Sequence, residues 1–414
     1  MSNNEPVAAS PGAPVVPLSV LDLVPITEGG DARRAVAETI DLARRTEQAG
    51  YARYWVAEHH LNPGVAGSSP AVVLALLAAH TSRIRLGSGA VLAGNQSALA
   101  LVEQFGLLDA AAPGRIDLGL GRSASRGPAE KNGADKNGAD KGGLDKGGAD
   151  QPAAPKRPDR APNGLPLPPG PPGLFALLGS RPRVAAQGDL LRGGREAQPY
   201  GEQLEDLLAL LEDRYADREG GLLAATPHAG PDQEIWVMGS SGGESAQLAG
   251  ALGLAFGANY HVTPGNVLEA VEAYRAAFRP SPRNAAPRVA VSADVVVAET
   301  PERAAELARG FGHWVRSIRC GDGAIAYPSP ERAAELPWTA EDDALVADRI
   351  ASRFVGTPEQ VTAGLRLLAE ATGADDLVIT TITHDHEARV RSYELLAEHW
   401  ARHGTPVLAA AGQP

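Results

Sequence analysis

Eight times along this chain a short apolar run is followed, with few exceptions, by a helical stretch, and that alternation constrains the fold more than any other feature. The runs are 18–24, 53–58, 83–92, 115–121, 234–239, 254–259, 288–298 and 376–382. Continuous apolar runs suit strands covered on both faces, as in a parallel sheet. Strict βα alternation implies such a sheet. Eight units in about this length imply a closed (β/α)8 barrel, with an open doubly wound sheet as the alternative. Local signals set the helix ends. Asp31 is placed to cap a helix that stops at Gly50, and Pro70 opens one running to about Thr81. Further helices are expected at 98–112, 200–218, 243–252, 266–278, 301–318, 341–352, 358–371 and 386–403, with an irregular stretch at 319–340.

The alternation stops between 123 and 198, where Gly, Pro, Ala, Lys, Asp and Arg dominate. Residues 131–150 repeat a five-residue unit, Lys-Asn-Gly-Ala-Asp and its variants. Its acidic groups lack the spacing of a calcium loop. It carries too little apolar surface to offset ordering entropy, so 123–198 reads as a disordered insert in one domain spanning 17–404. Residues 1–16 and 405–414 read as flexible tails.

The balance of charge is −12, which argues against nucleic acid or an anionic membrane as partner. The single cysteine, Cys320, fits a reducing cytoplasm and leaves no cysteine metal site. The first residues show no secretory signal, and no apolar run is long enough to span a bilayer.

Reactive groups collect just past the strands, where α/β barrels place their chemistry. The second run ends in Glu58-His59-His60. His59 is the candidate acid or base, while Glu58 and His60 could equally hydrogen-bond neighbouring loops. The fourth run ends in Gly119-Leu120-Gly121-Arg122, with glycines for close backbone approach and a guanidinium for phosphate. The fifth run enters Gly239-Ser240-Ser241-Gly242-Gly243 and then a helix, whose first amides form a ready anion site. A plain capped helix start is the alternative there. His384-Asp385-His386 follows the eighth run. With Glu58-His59-His60 it would suggest a metal-dependent hydrolase, but a helix cap at Asp385 and no metal is the preferred reading.

With these residues in view, the chain resembles the bacterial luciferase-like, flavin-dependent monooxygenases over nearly its whole length outside tail and insert. The resemblance is carried by Tyr54–His60, Arg83–Ala90, Glu103–Gly106, Pro113–Arg122, Gly239–Gly242, Gly312–Trp314, Gly356–Glu359, Thr383–Asp385 and Arg391–Leu396. It implies a (β/α)8 barrel that binds FMN at its C-terminal mouth. It implies that His59 acts as acid or base near the flavin and that Arg122, Ser240 and Ser241, with amides around Gly239 and Gly242, hold the phosphate. Some members have a cis non-prolyl bond in the third strand beside the flavin ring, which would fall at Gly89-Ala90. Two departures stand out. The run Ala93–Ala98 lacks the prolines common there, and the phosphate turn is one residue longer than usual.

What the resemblance implies for function is a two-component monooxygenase. Reduced FMN comes from a separate NAD(P)H:flavin reductase, and oxygen goes to a small organic substrate by hydroxylation, epoxidation or Baeyer–Villiger insertion. Relatives of this size often tailor natural products such as aromatic polyketides, and homodimers are common. Two other roles on the same scaffold are deazaflavin-dependent hydride transfer and a non-catalytic flavin-binding subunit.

Overall fold

The computed structural model describes residues 15–122, 158–171, 182–193, 196 and 198–404. Eight parallel strands close on themselves: β1 Leu18–Asp22, β2 Arg53–Val56, β3 Arg85–Ser88, β4 Ile116–Gly121, β5 Ile235–Gly239, β6 Ala255–Ala258, β7 Val289–Val297 and β8 Asp376–Thr380. Val20 on β1 sits in register with Tyr54 of β2 on one side and Ile379 of β8 on the other. The ring is completed where Ala290 of β7 meets Gly257 of β6. This is the closed (β/α)8 barrel that the alternation predicts.

The inside of the barrel is filled in layers. At the floor, Arg53 donates to Asp117 at 3.0 Å, Glu234 at 2.7 Å and Asp376 at 3.3 Å. Above it Trp55 and Trp236 meet edge to face with ring centres 5.8 Å apart. Gly87 makes room for that pair, since a Cβ there would lie 2.4 Å from the Trp55 ring. Leu21, Ala255, Ala290 and Val378 complete the layer, so every group above it faces the C-terminal mouth.

Helix ends follow the local signals. Asp31 accepts from Arg34 N, Pro70 begins its helix, and Gly50 takes a positive φ of 89°. Thr357 and Gln360 form a capping box.

The structure departs from the sequence reading at several elements. The third run is two pieces, Arg85–Ser88 and Val91–Leu92, separated by a cis Gly89-Ala90 bond. The helix expected at 200–218 stops at Leu211, and a small hairpin pairs Tyr215–Ala216 with Leu222–Leu223. The helix expected at 301–318 is two helices, Pro301–Leu307 and Phe311–Cys320. Gly310 sits at the break, because a Cβ there would come 2.9 Å from Pro328 O. The irregular stretch contains the helix Pro330–Glu335, and a short strand, Phe354–Gly356, extends the sheet beside the end of β7.

The expected disordered run of 123–198 is too wide. Residues 158–171 dock on the barrel: Ala161, Leu165 and Leu167 are buried, and Asn163 Nδ2 donates to Leu367 O at 2.8 Å. A further helix spans Pro182–Arg192. The repeat at 131–150 lies outside the described residues, as do residues 1–14 and 405–414. Val16, read as tail, belongs to the core, and its carbonyl accepts from Trp400 Nε1 at 2.7 Å. No helix among the described residues is long and apolar enough to cross a membrane.

Candidate active site at the barrel mouth

The tip of β2 is fixed from both sides. Ala57 N donates to Asp22 O at 3.0 Å and His59 N donates to Gly67 O at 2.8 Å. The Glu58 side chain is buried against the exit of β3. Its carboxylate accepts from Leu92 N at 2.9 Å, His60 Nε2 at 2.7 Å and Asn95 Nδ2 at 3.3 Å. The loop-bonding alternative thus holds for Glu58 and His60, which tie the tip of β2 to the exit of β3. His59 differs from both in having no such partner among the described residues. Its ring is half-buried, and Nδ1 is out of contact with water and has no partner among the described residues. Burial, aided by the neighbouring His60, pushes its pKa down to about 4. At neutral pH it is therefore an uncharged imidazole.

One wall of the mouth is nearly bare backbone. Ser88 Oγ donates to Gly119 O at 2.8 Å and accepts from Gly119 N at 3.0 Å, stitching β3 to β4. The close approach excludes a side chain, since a Cβ on Gly119 would lie 2.0 Å from Ser88 O. Gly89 stands over Trp55, and a Cβ on Gly121 would come 3.1 Å from that of Ala90. Gly89, Ala90 and Gly121 thus form a smooth strip above the tryptophan layer.

The β4 and β5 tips are joined. Arg122 Nη1 donates to Glu244 Oε2 at 2.7 Å, across an exposed ion pair. Glu244 opens the helix Glu244–Ala251, whose N-cap is Gly243, with no side chain to cap the first amides. Ser240 Oγ accepts from Asn259 Nδ2 at 3.2 Å, and Ser240 O accepts from Thr263 Oγ1 at 2.8 Å. Gly242 is crowded by Ala273 and Glu269, with a Cβ landing 3.1 Å from each. Arg122 and the Ser240–Gly243 turn are therefore neighbours, as an anion site at these tips requires.

A second imidazole was not singled out from sequence. His261, just past β6, is also half-buried, and its Nδ1 bonds to Ser292 Oγ of β7. Its pKa is pushed down to about 4 by burial, against the pull of Asp294 and with small further depressions from Arg349 and His59. The signal that could have found it was its position after the sixth run.

At the His384-Asp385-His386 segment the helix cap of the preferred reading is present. Asp385 accepts from Ala388 N at 2.7 Å and caps the last helix, and His384 reaches Glu28 O at 3.0 Å. His386, Asp41 and Glu387 do lie together, but Arg45 Nη1 donates to Glu387 at 2.7 Å.

A parallel barrel whose polar groups gather at its C-terminal mouth defines a (β/α)8 enzyme, and comparison with known proteins narrows the class. Residues 16–142 and 201–376 match the model of the luciferase-like monooxygenases. An uncharacterised Bacillus subtilis (strain 168) protein, YvbT, is 34% identical over 386 residues, covering 92% of this chain and 96% of its own. The luciferase-like monooxygenase of Escherichia coli (strain K12) is 31% identical over 381 residues, covering 92% and 96%. The solved structure of apo-MsnO8 superposes with a TM-score of 0.71 at 30% identity, over 94% of this chain and 99% of that one. Two more distant structures share the fold. One is the oxygenating constituent of 3,6-diketocamphane monooxygenase from Pseudomonas putida in complex with FMN, at TM-score 0.60 and 18% identity, covering 94% and 99%. The other is the coenzyme F420-dependent tetrahydromethanopterin reductase of Methanopyrus kandleri, at 0.52 and 16%, covering 94% and 98%. The chain belongs to the luciferase-like monooxygenase family, and it is an oxidoreductase that incorporates molecular oxygen.

Proposed function

We propose that this chain is the oxygenase of a two-component system. It takes reduced FMN from a separate NAD(P)H:flavin reductase and hydroxylates, epoxidises or Baeyer–Villiger-oxidises a small organic substrate, with a polyketide-type natural-product intermediate as the candidate class. The observation that carries this reading is the junction of Arg122 with the uncapped helix start beyond Ser240-Ser241, at 2.7 Å through Glu244. It is an anion cradle on the rim of the same mouth that holds His59. The residues fit the flavin: Gly239, Ser240, Ser241, Gly242 and Arg122 for the phosphate, and the bare strip Gly89-Ala90 for the ring. A phosphate there competes with the Glu244 carboxylate for Arg122.

Bound reduced flavin would supply the activation of oxygen, and the protein supplies everything else. The Phe311, Trp314, Tyr327 and Ile325 side chains cluster with the barrel interior and keep water from the mouth. His59, neutral at pH 7, holds or takes a proton against the substrate. The charge of −12 and the absence of a spanning helix among the described residues support a cytoplasmic enzyme without nucleic-acid or membrane partners.

The test is an anaerobic titration of the apo-protein with reduced FMN and, separately, reduced deazaflavin, followed by oxygen-uptake and product-mass measurements. FMN should bind in preference. Arg122→Ala should weaken it by about tenfold or more, the loss of a charged hydrogen bond. His59→Ala should keep its flavin affinity while turnover falls by about a hundredfold, the usual scale of a lost acid or base. The distant deazaflavin enzyme keeps hydride transfer as the second reading. Preferential deazaflavin binding without oxygen consumption would establish it, and flavin binding with no turnover would make the chain a non-catalytic subunit.

A further inference from the structure

On the β7 side of the mouth, positive charge exceeds negative. Asp294 of β7 is buried, and it accepts from Arg349 Nη2 at 3.1 Å. Arg353 follows just past the end of the helix Ala340–Ala351 that carries Arg349. The register of Val295 with Phe354 places it beside Asp294. Its guanidinium stands 3.8 Å over the Phe311 ring, and its one hydrogen bond among the described residues is a long one, from Nη1 to Ala308 O at 3.4 Å. Among the described residues no carboxylate comes within ion-pair distance of it. Arginine cannot shed its charge as lysine can, so burial without a counter-ion is costly.

The same place leaves donors unused. The hydroxyl of Tyr327, a residue only 1% exposed, has no partner among the described residues. Neither have Trp314 Nε1, Arg349 Nε or Arg353 Nε, all out of contact with water. Folded proteins pair nearly all such groups, so four together in one cluster point to something that completes them. What is in surplus is donors and positive charge, and the one carboxylate at hand is already taken by Arg349. The cluster is also connected to the reactive end of the mouth. Arg353 lies close enough to Tyr327 to act on its ionisation, and His261 feels both Asp294 and Arg349 on one side and His59 on the other. The faces of Phe311 and Trp314, with ring centres 6.2 Å apart, add an apolar wall.

We propose that Arg353 and Tyr327, backed by Arg349, form a substrate subsite for the carboxylate of an acidic organic substrate whose body extends past His261 toward His59. This rests on the reading of the chain as an oxygenase of organic molecules, but not on which flavin it uses. Arg353 supplies the fork of parallel N–H groups that a carboxylate matches, and Tyr327 supplies a third donor. The aromatic wall suits a carbon skeleton next to the acid.

The probes are benzoate and its neutral isostere benzamide, titrated calorimetrically into the flavin-free protein. Benzoate should bind saturably and benzamide about tenfold more weakly or worse, the scale of losing charged hydrogen bonds. R353Q should abolish the preference. Tyr327→Phe removes a hydroxyl that has no partner to lose, so it should weaken benzoate severalfold at an unchanged melting temperature; it also carries the test if R353Q does not fold. Equal binding of the two probes, binding of neither, or a preference that survives Arg353 and Tyr327 replacement overturns the subsite. Reduced FMN is titrated into the same proteins. Loss of FMN binding with benzoate preference intact strikes at the flavin reading alone, and the reverse pattern strikes at the subsite alone.

Discussion

His59 and His261 share one physical condition: folding takes much of the water from both rings and holds each near pKa 4. Both values lie below that of an exposed imidazole, so protons favour the unfolded chain. Their contribution is complete above pH 6.5 or so and is lost as pH falls toward 4. Given half-buried rings, it amounts to about 1–2 kcal/mol each. Asp376 at the barrel floor runs the other way. Burial lifts it to about 6, so its contribution is present at low pH and lost as pH rises through 6. In the window between 4 and 6 the histidines and the aspartate pull in opposite directions. By urea unfolding, the double variant His59→Gln, His261→Asn should therefore lose less stability than the unsubstituted chain, or gain some, on acidification from pH 6.5. An unchanged slope would mean that neither ring is desolvated as described. At this scale strand ends are legible from an apolar run, which is how His59, Arg122, Ser240 and Ser241 are singled out as candidates at the mouth, whereas Gly89-Ala90 lies inside the third run and is reached only through the family resemblance. Sequence reading could not reach Arg349 or Arg353. Arg349 lies in the last turn of the helix Ala340–Ala351 and Arg353 just past its end, and the place of Arg353 beside Asp294 depends on Phe354–Gly356 joining β7, which three residues of sequence do not announce.

Elements were legible where burial on both faces writes a continuous apolar run, and all eight barrel strands meet that condition. They were illegible where composition hides a few decisive contacts. The stretch 158–171 reads as an extension of the low-complexity insert because proline and glycine dominate it. Yet Leu165 is fully buried in the main core, and Tyr260 of the β6 exit donates its hydroxyl to Pro166 O at 2.8 Å. The broken helix at 301–320 has the same origin. Its apolar pattern runs on through Ala308–Gly310, and only the close approach of Pro328 to Gly310 stops it. Leu165 decides whether the 158–171 stretch is structural. Leu165→Ala should cost about 2–4 kcal/mol in urea unfolding, as for other fully buried leucines. Leu190 of the Pro182–Arg192 helix is 72% exposed, and its replacement by Ala should change stability by less than about 0.5 kcal/mol. Equal effects at the two sites would return 158–171 to the insert.

For the molecule as a whole, the unresolved demand is on the outside of the barrel. The helix Pro70–Ala78, Pro-Ala-Val-Val-Leu-Ala-Leu-Leu-Ala, is apolar on every side, a pattern that belongs to helices covered all round. Its inner face meets β3 and its neighbour Ala98–Ala111, but Val72 and Leu76 look outward. On the neighbouring helix Leu99 and Leu107 are also exposed, Leu107 by 62%. Two adjacent helices thus present apolar side chains with no cover among the described residues, and such a face marks an interaction site. A second copy of this chain is the simplest cover, with each face self-complementary about a two-fold axis. Net charge opposes it, since two chains of −12 repel each other at long range. Salt screens that repulsion and leaves apolar burial intact, so association should strengthen as ionic strength rises. Sedimentation equilibrium at micromolar protein should give twice the chain mass, and Val72→Glu with Leu107→Glu should halve it while the melting curve still shows a folded barrel. A wild-type chain that sediments as a monomer at every salt concentration would leave this face for some other partner.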